Sequence, residues 1–210
     1  VKIITIEDPV EYELTGVTQL QVNPRIGLTF ASALRNLLRH DPDIMMVGEV
    51  RDLETAELAI RTALTGHLVF STLHTNDASS GATRLLDMGL EPYLVASSVQ
   101  SFIAQRLVRT ICPDCKEKIP FKEEEGLNKI AEETSENIEK PSHIFHGRGC
   151  EACKFTGYRG RLAIYEILDI NEEIRQMIID KASASQIKQK AIKMGLKTLL
   201  REGWEKVREG

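Results

Sequence analysis

The chain has 210 residues, 28% of them charged, and a net charge of −4, with a pI near 5.8. That length holds one full core and a smaller appendage. An acidic balance with no basic run offers no field to a nucleic acid, and no apolar run approaches the roughly 18–20 residues that span a bilayer.

The chain opens on VKIITIEDPVEY, without Met. This reads as a strand followed by acidic residues, not as a charged segment leading into an apolar one, so no export leader is expected. A start inside a strand suggests a piece of a longer polypeptide. Lys2–Ile6 reads as a strand and Val17–Val22 as a short alternating one. Thr29 is placed to cap a helix in which Phe30, Leu34, Leu37 and Leu38 fall at helical spacing. Ile44–Val47 reads as a strand buried on both faces. Asp52 suits the N-cap of a helix that lines up Leu53, Ala56, Ile60 and Leu64 and ends at Gly66. His67–Thr72 reads as a third buried strand. Asp77 or Ser79 then opens a helix to about Met88, stopped by Gly89. EPYLVASSVQSFIAQRLVR reads as a further helix with Pro92 in its first turn.

The character changes at Cys112. Lys116–Lys140, dominated by Glu, Lys and polar residues, reads as one exposed amphipathic helix with loose flanks. After Cys153, YRGRLAIYEIL predicts a turn and a strand. From about Asn171 onward, helices of alternating charge follow, with Leu196, Leu199, Leu200 and Trp204 on an inner face.

Strands alternating with helices predict an α/β fold with a mostly parallel sheet covered on both faces. Ligands of such sheets bind beyond the carboxyl ends of the strands. The polar clusters fall there. Glu7, Asp8 and Glu11 follow the strand Lys2–Ile6, Glu49, Arg51 and Asp52 follow Ile44–Val47, and His74, Thr75, Asn76 and Asp77 follow His67–Thr72. Clustered acids repel unless a cation holds them. Mg²⁺, which binds through few direct carboxylates, is the natural candidate. Phosphoryl transfer needs such a metal, a phosphate cradle and a group that orients water. Glu49 at the end of an apolar strand suits the last role, and His74 is placed to sense a terminal phosphate.

The four cysteines come as two C-x-x-C pairs, Cys112 with Cys115 and Cys150 with Cys153, and this favours a reducing compartment and a metal. Two such turns make a tetrahedral S₄ site suited to structural Zn²⁺. The alternatives are a redox or disulfide pair and unpaired thiols. The 34 residues between Cys115 and Cys150 exceed the common spacer, so that segment is expected to loop out. His143 and His146 are the competing ligands in sequence and are expected to be exposed or structural.

TIEDPVEY resembles the Asp box, LRHDPDIMMVGEVRDLETA the Walker B region and TGHLVFSTLHTNDA the His box of the secretion ATPase superfamily. CPDC…GCEAC followed by GYRGRLAIYEIL is similar to the tetracysteine region of its type II secretion and type IV pilus assembly branch, and sets the chain apart from the retraction and DNA-transfer branches. The resemblance implies a RecA-like P-loop ATPase core, of which this is the C-terminal half, with a zinc subdomain and a C-terminal helical region. It implies ATP and Mg²⁺ as cofactors besides structural Zn²⁺. It implies a cytoplasmic homo-hexamer, peripheral at the inner membrane through platform or docking proteins. Glu49 would position the attacking water and Glu7 would be a second acid. Asp8 and Glu11 would support metal or neighbouring-subunit contacts. His74 would approach the γ-phosphate, with His67 at the base of the same strand, and Arg51 would link the site to moving parts. The expected division is 1–111 partial core, 112–158 zinc subdomain, and 159–210 a returning strand with helices.

The phosphate loop G-x-x-x-x-G-K-[ST] is absent from the sequence. The nearest string, Gly195–Thr198, lacks its first Gly and the Gly-Lys pair, and reads as a core-facing helix. In the resembled family the loop precedes the Asp box, so it is expected upstream of Val1. The chain alone is then expected to bind ATP poorly and to hydrolyse it negligibly. The alternative reading is a non-catalytic, zinc-stabilised interaction or oligomerisation module.

Overall fold

The structure, a computed structural model, describes residues 1–121 and 141–210. It divides into two compact units, one of Val1–Phe102 with Asp169–Ile187 and one of Ile103–Leu168 with Lys188–Gly210. These units cut the chain differently from the expected 1–111, 112–158 and 159–210. The strand leading into Cys112 pairs with the strand that follows Cys153, which ties both to the cysteine-bearing unit.

The first unit is built on four parallel strands, β1 (Ile3–Glu7), β2 (Val17–Gln21), β3 (Ile44–Val47) and β4 (Leu68–Ser71), in the order β2-β1-β3-β4. Parallel register sets Ile6 beside Val47, and Val47 beside Ser71, so three strands end at one level. Helices α1 (Phe30–Leu37), α2 (Leu53–Leu64), α3 (Ser79–Asp87), α4 (Pro92–Ser98) and α5 (Glu172–Ile179) complete it. Ile6, Ala33, Leu34, Met45 and Val47 are fully buried in one cluster. Each large member contributes roughly 1.5–3 kcal/mol through its burial.

Caps hold the helices as their sequences predict. The Thr29 hydroxyl accepts the Ser32 N–H at 3.2 Å, and the Ser32 hydroxyl accepts the Thr29 N–H at 2.8 Å, a reciprocal box that starts α1. Asp52 accepts the Thr55 N–H at 2.8 Å and starts α2. Asp77 accepts the Ser80 N–H at 2.9 Å and leads into α3. Gly48 owes its identity to a close backbone contact. Its N–H donates to the Ile6 carbonyl at 2.7 Å. A Cβ there would stand 3.0 Å from that same oxygen, so glycine permits the close approach of β1 and β3.

Several expected elements differ. β3 is fully buried on one face only, at Met45 and Val47. β4 is open, with Leu68 48% and Phe70 55% exposed, because it ends the sheet. The helix expected from Glu91 to Arg109 stops at Ser98, and residues Ser101–Ile111 form β5. Backbone pairing with β8 (Tyr158–Asp169) overrides the helical spacing of its apolar residues. Lys116–Pro120 is β6, antiparallel to β7 (His143–Gly147), so the start of the expected Lys116–Lys140 helix is a strand. The rest of that expectation, from residue 122, lies outside the described residues.

Helices α6 (Ala184–Lys193) and α7 (Leu199–Glu209) follow. Gly195–Thr198 is the turn between them, not a core-facing helix, and the Thr198 hydroxyl caps α7 by accepting the Arg201 N–H at 3.3 Å. Glu166 of β8, 1% exposed, accepts the Leu199 N–H at 3.2 Å and anchors the same helix start. On α7, Trp204 packs edge-on against Phe121 and Leu200 is 41% exposed, so the expected inner face is only partly covered.

Candidate functional site

The carboxyl ends of β1, β3 and β4 lie side by side and carry the polar residues. The turn after β3 is latched to the turn after β4. Ser71 and Thr72 hydroxyls donate to the Val47 and Gly48 carbonyls at 2.8 and 2.6 Å, and the Val50 N–H donates to the Thr72 carbonyl at 3.0 Å. These bonds fix Glu49 opposite His74. His74 Nε2–H donates to Glu49 Oε2 at 3.0 Å, and Arg51 Nη2 meets Glu49 Oε1 at 2.6 Å. The Glu49 side chain is 12% exposed, whereas Arg51 and His74 stand 65% and 78% exposed. The His74 hydrogen bond, opposed by desolvation and assisted by Arg51, holds Glu49 below the ordinary carboxylate range. Glu49 is thus an ionised acid at the floor of the strand ends, bonded to two exposed side chains, the Arg51 guanidinium and the His74 imidazole.

After β1 the chain forms an irregular acidic loop. Glu7 is half-buried and accepts from the Thr5 hydroxyl and from Gln19 Nε2. Asp8 and Glu11 are exposed on the same loop, and the Asp8–Pro9 peptide is cis. His67 does not join these groups. It precedes β4 at the opposite end, where its Nδ1–H donates to the Thr62 carbonyl at 3.1 Å and closes the turn out of α2.

The second unit gathers Cys112, Cys115, Cys150 and Cys153, whose sulfurs all lie within 4.8 Å of one another. Measured pairs are 3.9 Å (Cys112–Cys150), 3.9 Å (Cys115–Cys153) and 3.8 Å (Cys150–Cys153). A disulfide needs about 2.05 Å. A tetrahedral site with Zn–S bonds of about 2.3 Å sets its sulfurs about 3.8 Å apart, so the donor set fits zinc. The N–H groups of Gly149, Cys150 and Gly157 point at sulfur from 3.2–3.3 Å. Burial pushes the Cys112 thiol up and Cys115 up to about 12, while the Cys150 and Gly157 N–H groups bring Cys153 down to about 6. A bound dication removes that conflict by taking all four as thiolates. His143 and His146 are exposed on β7 and outside the cluster.

Sequence reasoning missed Gln19 and Gln21. Their signal is the polar alternation Gln-Leu-Gln on β2, the strand beside the acidic loop.

The arrangement is a RecA-like α/β core whose strand ends present acids and a histidine, joined to a cysteine-held second unit. A profile described as "Type II/IV secretion system protein" matches residues 1–210, and the chain belongs to that family. The type IV pilus assembly ATPase PilB of Thermus thermophilus is 50% identical over 206 residues, 98% of this chain and 23% of that protein. The type II secretion system ATPase E of Vibrio cholerae is 46% identical over 208 residues, 99% of this chain and 40% of that protein. The crystal structure of the pilus retraction motor PilT with bound ADP superposes with a TM-score of 0.67 at 31% identity, covering 100% of this chain and 49% of that one. The chain therefore spans well under half the length of these curated relatives. Among the described residues no helix is long and apolar enough to cross a membrane.

Proposed function

We propose that this chain carries the hydrolytic half of a cytoplasmic, hexameric ATPase that powers type II protein secretion or type IV pilus assembly. The observation that carries the reading is the convergence of Glu49, Arg51 and His74 beside the acidic loop, at the level where three parallel strands end. Glu49, kept ionised, accepts hydrogen bonds and is suited to hold an attacking water. The Arg51 guanidinium and a ring N–H of His74 are donors suited to face a terminal phosphate. Glu7 is the second acid of the same site. Mg²⁺ binds through one or two carboxylates with water and substrate phosphates, which suits Asp8 and Glu11, and it supplies charge neutralisation to the phosphates. The platform or docking proteins of the machine hold the hexamer at the inner membrane.

The phosphate cradle, absent from residues 1–210, comes from polypeptide outside them. Among the described residues β4 has no strand on its outer edge, and this supports the reading. A parallel sheet is covered on both faces, and an edge strand exposing Leu68 and Phe70 has room for a further strand that brings the cradle to Glu49. Zn²⁺ on the four cysteines serves as a structural pin. The test is the turnover of the isolated chain. Phosphate release no faster than from its own Glu49→Gln variant is expected, since the positioning of the β- and γ-phosphates is missing. Zinc-loaded chain hydrolysing ATP well above that control would overturn the division of labour.

A further inference from the structure

Strand β2 sets two glutamines against the acidic loop. Gln19 and Gln21 are two residues apart, so their side chains leave the same face of the strand. Gln19 is used at both ends of its carboxamide. Its Nε2 donates to Glu7 Oε1 at 2.9 Å and to the Tyr12 carbonyl at 2.9 Å. Its Oε1 accepts the Leu14 N–H at 2.6 Å. Gln21 Oε1 accepts the Val10 N–H at 3.2 Å. The loop is thus tied at Val10, Tyr12 and Leu14 by side chains of one neighbouring strand. It contains no helix or strand of its own, and Glu11, Tyr12 and Glu13 are exposed.

The chemistry of the tie is specific. A primary amide has two donors, and both donors of Gln19 are engaged. Glu7 Oε1 takes the Gln19 bond and the bond from the buried Thr5 hydroxyl. Oε2 has no partner among the described residues. One oxygen is fixed by the protein and the other is presented. Glutamate at position 19 keeps the acceptor and loses both donors, asparagine is one methylene too short, and leucine loses everything.

We propose that Gln19 is a positioning residue for the hydrolytic site: it aims the Glu7 carboxylate and, with Gln21, fixes the course of the loop that carries Asp8 and Glu11. The proposal rests on the reading of Glu7 as the second acid.

The test uses the full-length ATPase with Gln19→Glu and Gln19→Leu. Both are expected to lower kcat about tenfold with KM for ATP within about threefold, the mark of an interaction spent on orientation and not on ground-state binding. Amide exchange separates the two ends of the carboxamide. The Leu14 N–H stays protected in Gln19→Glu and exchanges fast in Gln19→Leu. If Gln19→Leu does not fold, the near-isosteric Gln19→Glu decides. A kcat within about twofold of the unsubstituted protein in the folded variants overturns the proposal, as does a loss confined to thermal stability. Glu7→Gln is run in parallel. Full turnover in that variant removes the reading of Glu7 itself. Loss of turnover there, with the Gln19 variants unaffected, removes only the positioning role.

Discussion

The two units are held together by different means. In the first, Ile6, Leu34, Met45 and Val47 form an apolar cluster between sheet and helices. In the second, the cluster of the cysteine region is made of Cys112, Cys115 and Cys153 with Cys150 at its edge. The first buries enough hydrocarbon to order its strand ends and to keep Glu49 in place. The second buries Ile164 and Leu168 of β8 and also gathers four sulfurs that could hold a metal ion. The proposed site stands on the first unit, which contains none of the four cysteines, so metal loss and packing loss are expected to have separable consequences.

The sharpest way to break the contrast is to remove the metal. Chelation of reduced protein, or Cys112→Ser, is expected to unfold the second unit, since structural zinc in small domains is worth on the order of 10 kcal/mol. Amide protection of β1 and β3 in the first unit is expected to persist. Less than about half a zinc per chain in freshly purified, reduced protein would sink the metal site, because four converging thiolates at this geometry bind one ion.

A smaller effect within the second unit comes from Gly147. Its backbone crosses that of Gly157, and a Cβ on Gly147 would stand 2.0 Å from the Gly157 carbonyl oxygen. Gly147→Ala is expected to lower the thermal midpoint of the second unit by several degrees, at a cost of about 3 kcal/mol. An unchanged midpoint would show that the crossing is loose.

The smallest effect is electrostatic and lies in the first unit. Glu49 is held below the ordinary carboxylate range chiefly by His74. A depressed pKa contributes stability above the unfolded-state pKa, and that contribution is lost as pH falls through the folded-state value. His74→Ala raises the folded-state value and shrinks the contribution. Acid unfolding of the first unit is then expected at higher pH, and the Glu49 carboxyl carbon is expected to titrate at higher pH by NMR. An unmoved Glu49 titration would mean that Arg51 alone sets it.

Local signals made the first unit legible. β1, β3, α1 and α2 carry their own periodicity and caps at Thr29 and Asp52, and the charged strand ends pointed to Glu49 and His74. β5 was not legible, because its ladder partner β8 begins 47 residues after its last residue, and Leu94, Val95, Phe102 and Ile103 imitate helical spacing. The openness of β4 was not legible either. An apolar strand has the same sequence at an edge as in the centre of a sheet. Gln19 was hidden because a glutamine on a strand is ordinary until its three bonds to the acidic loop are seen.

The most direct measurement is ATP turnover by the full-length protein with Glu49→Gln, alongside nucleotide binding by the same variant. Loss of kcat by about 100-fold or more, with binding retained, is the outcome predicted by the proposal that Glu49 holds the attacking water. Turnover within about twofold of the unsubstituted protein would contradict the account and leave these strand ends as part of an interaction module.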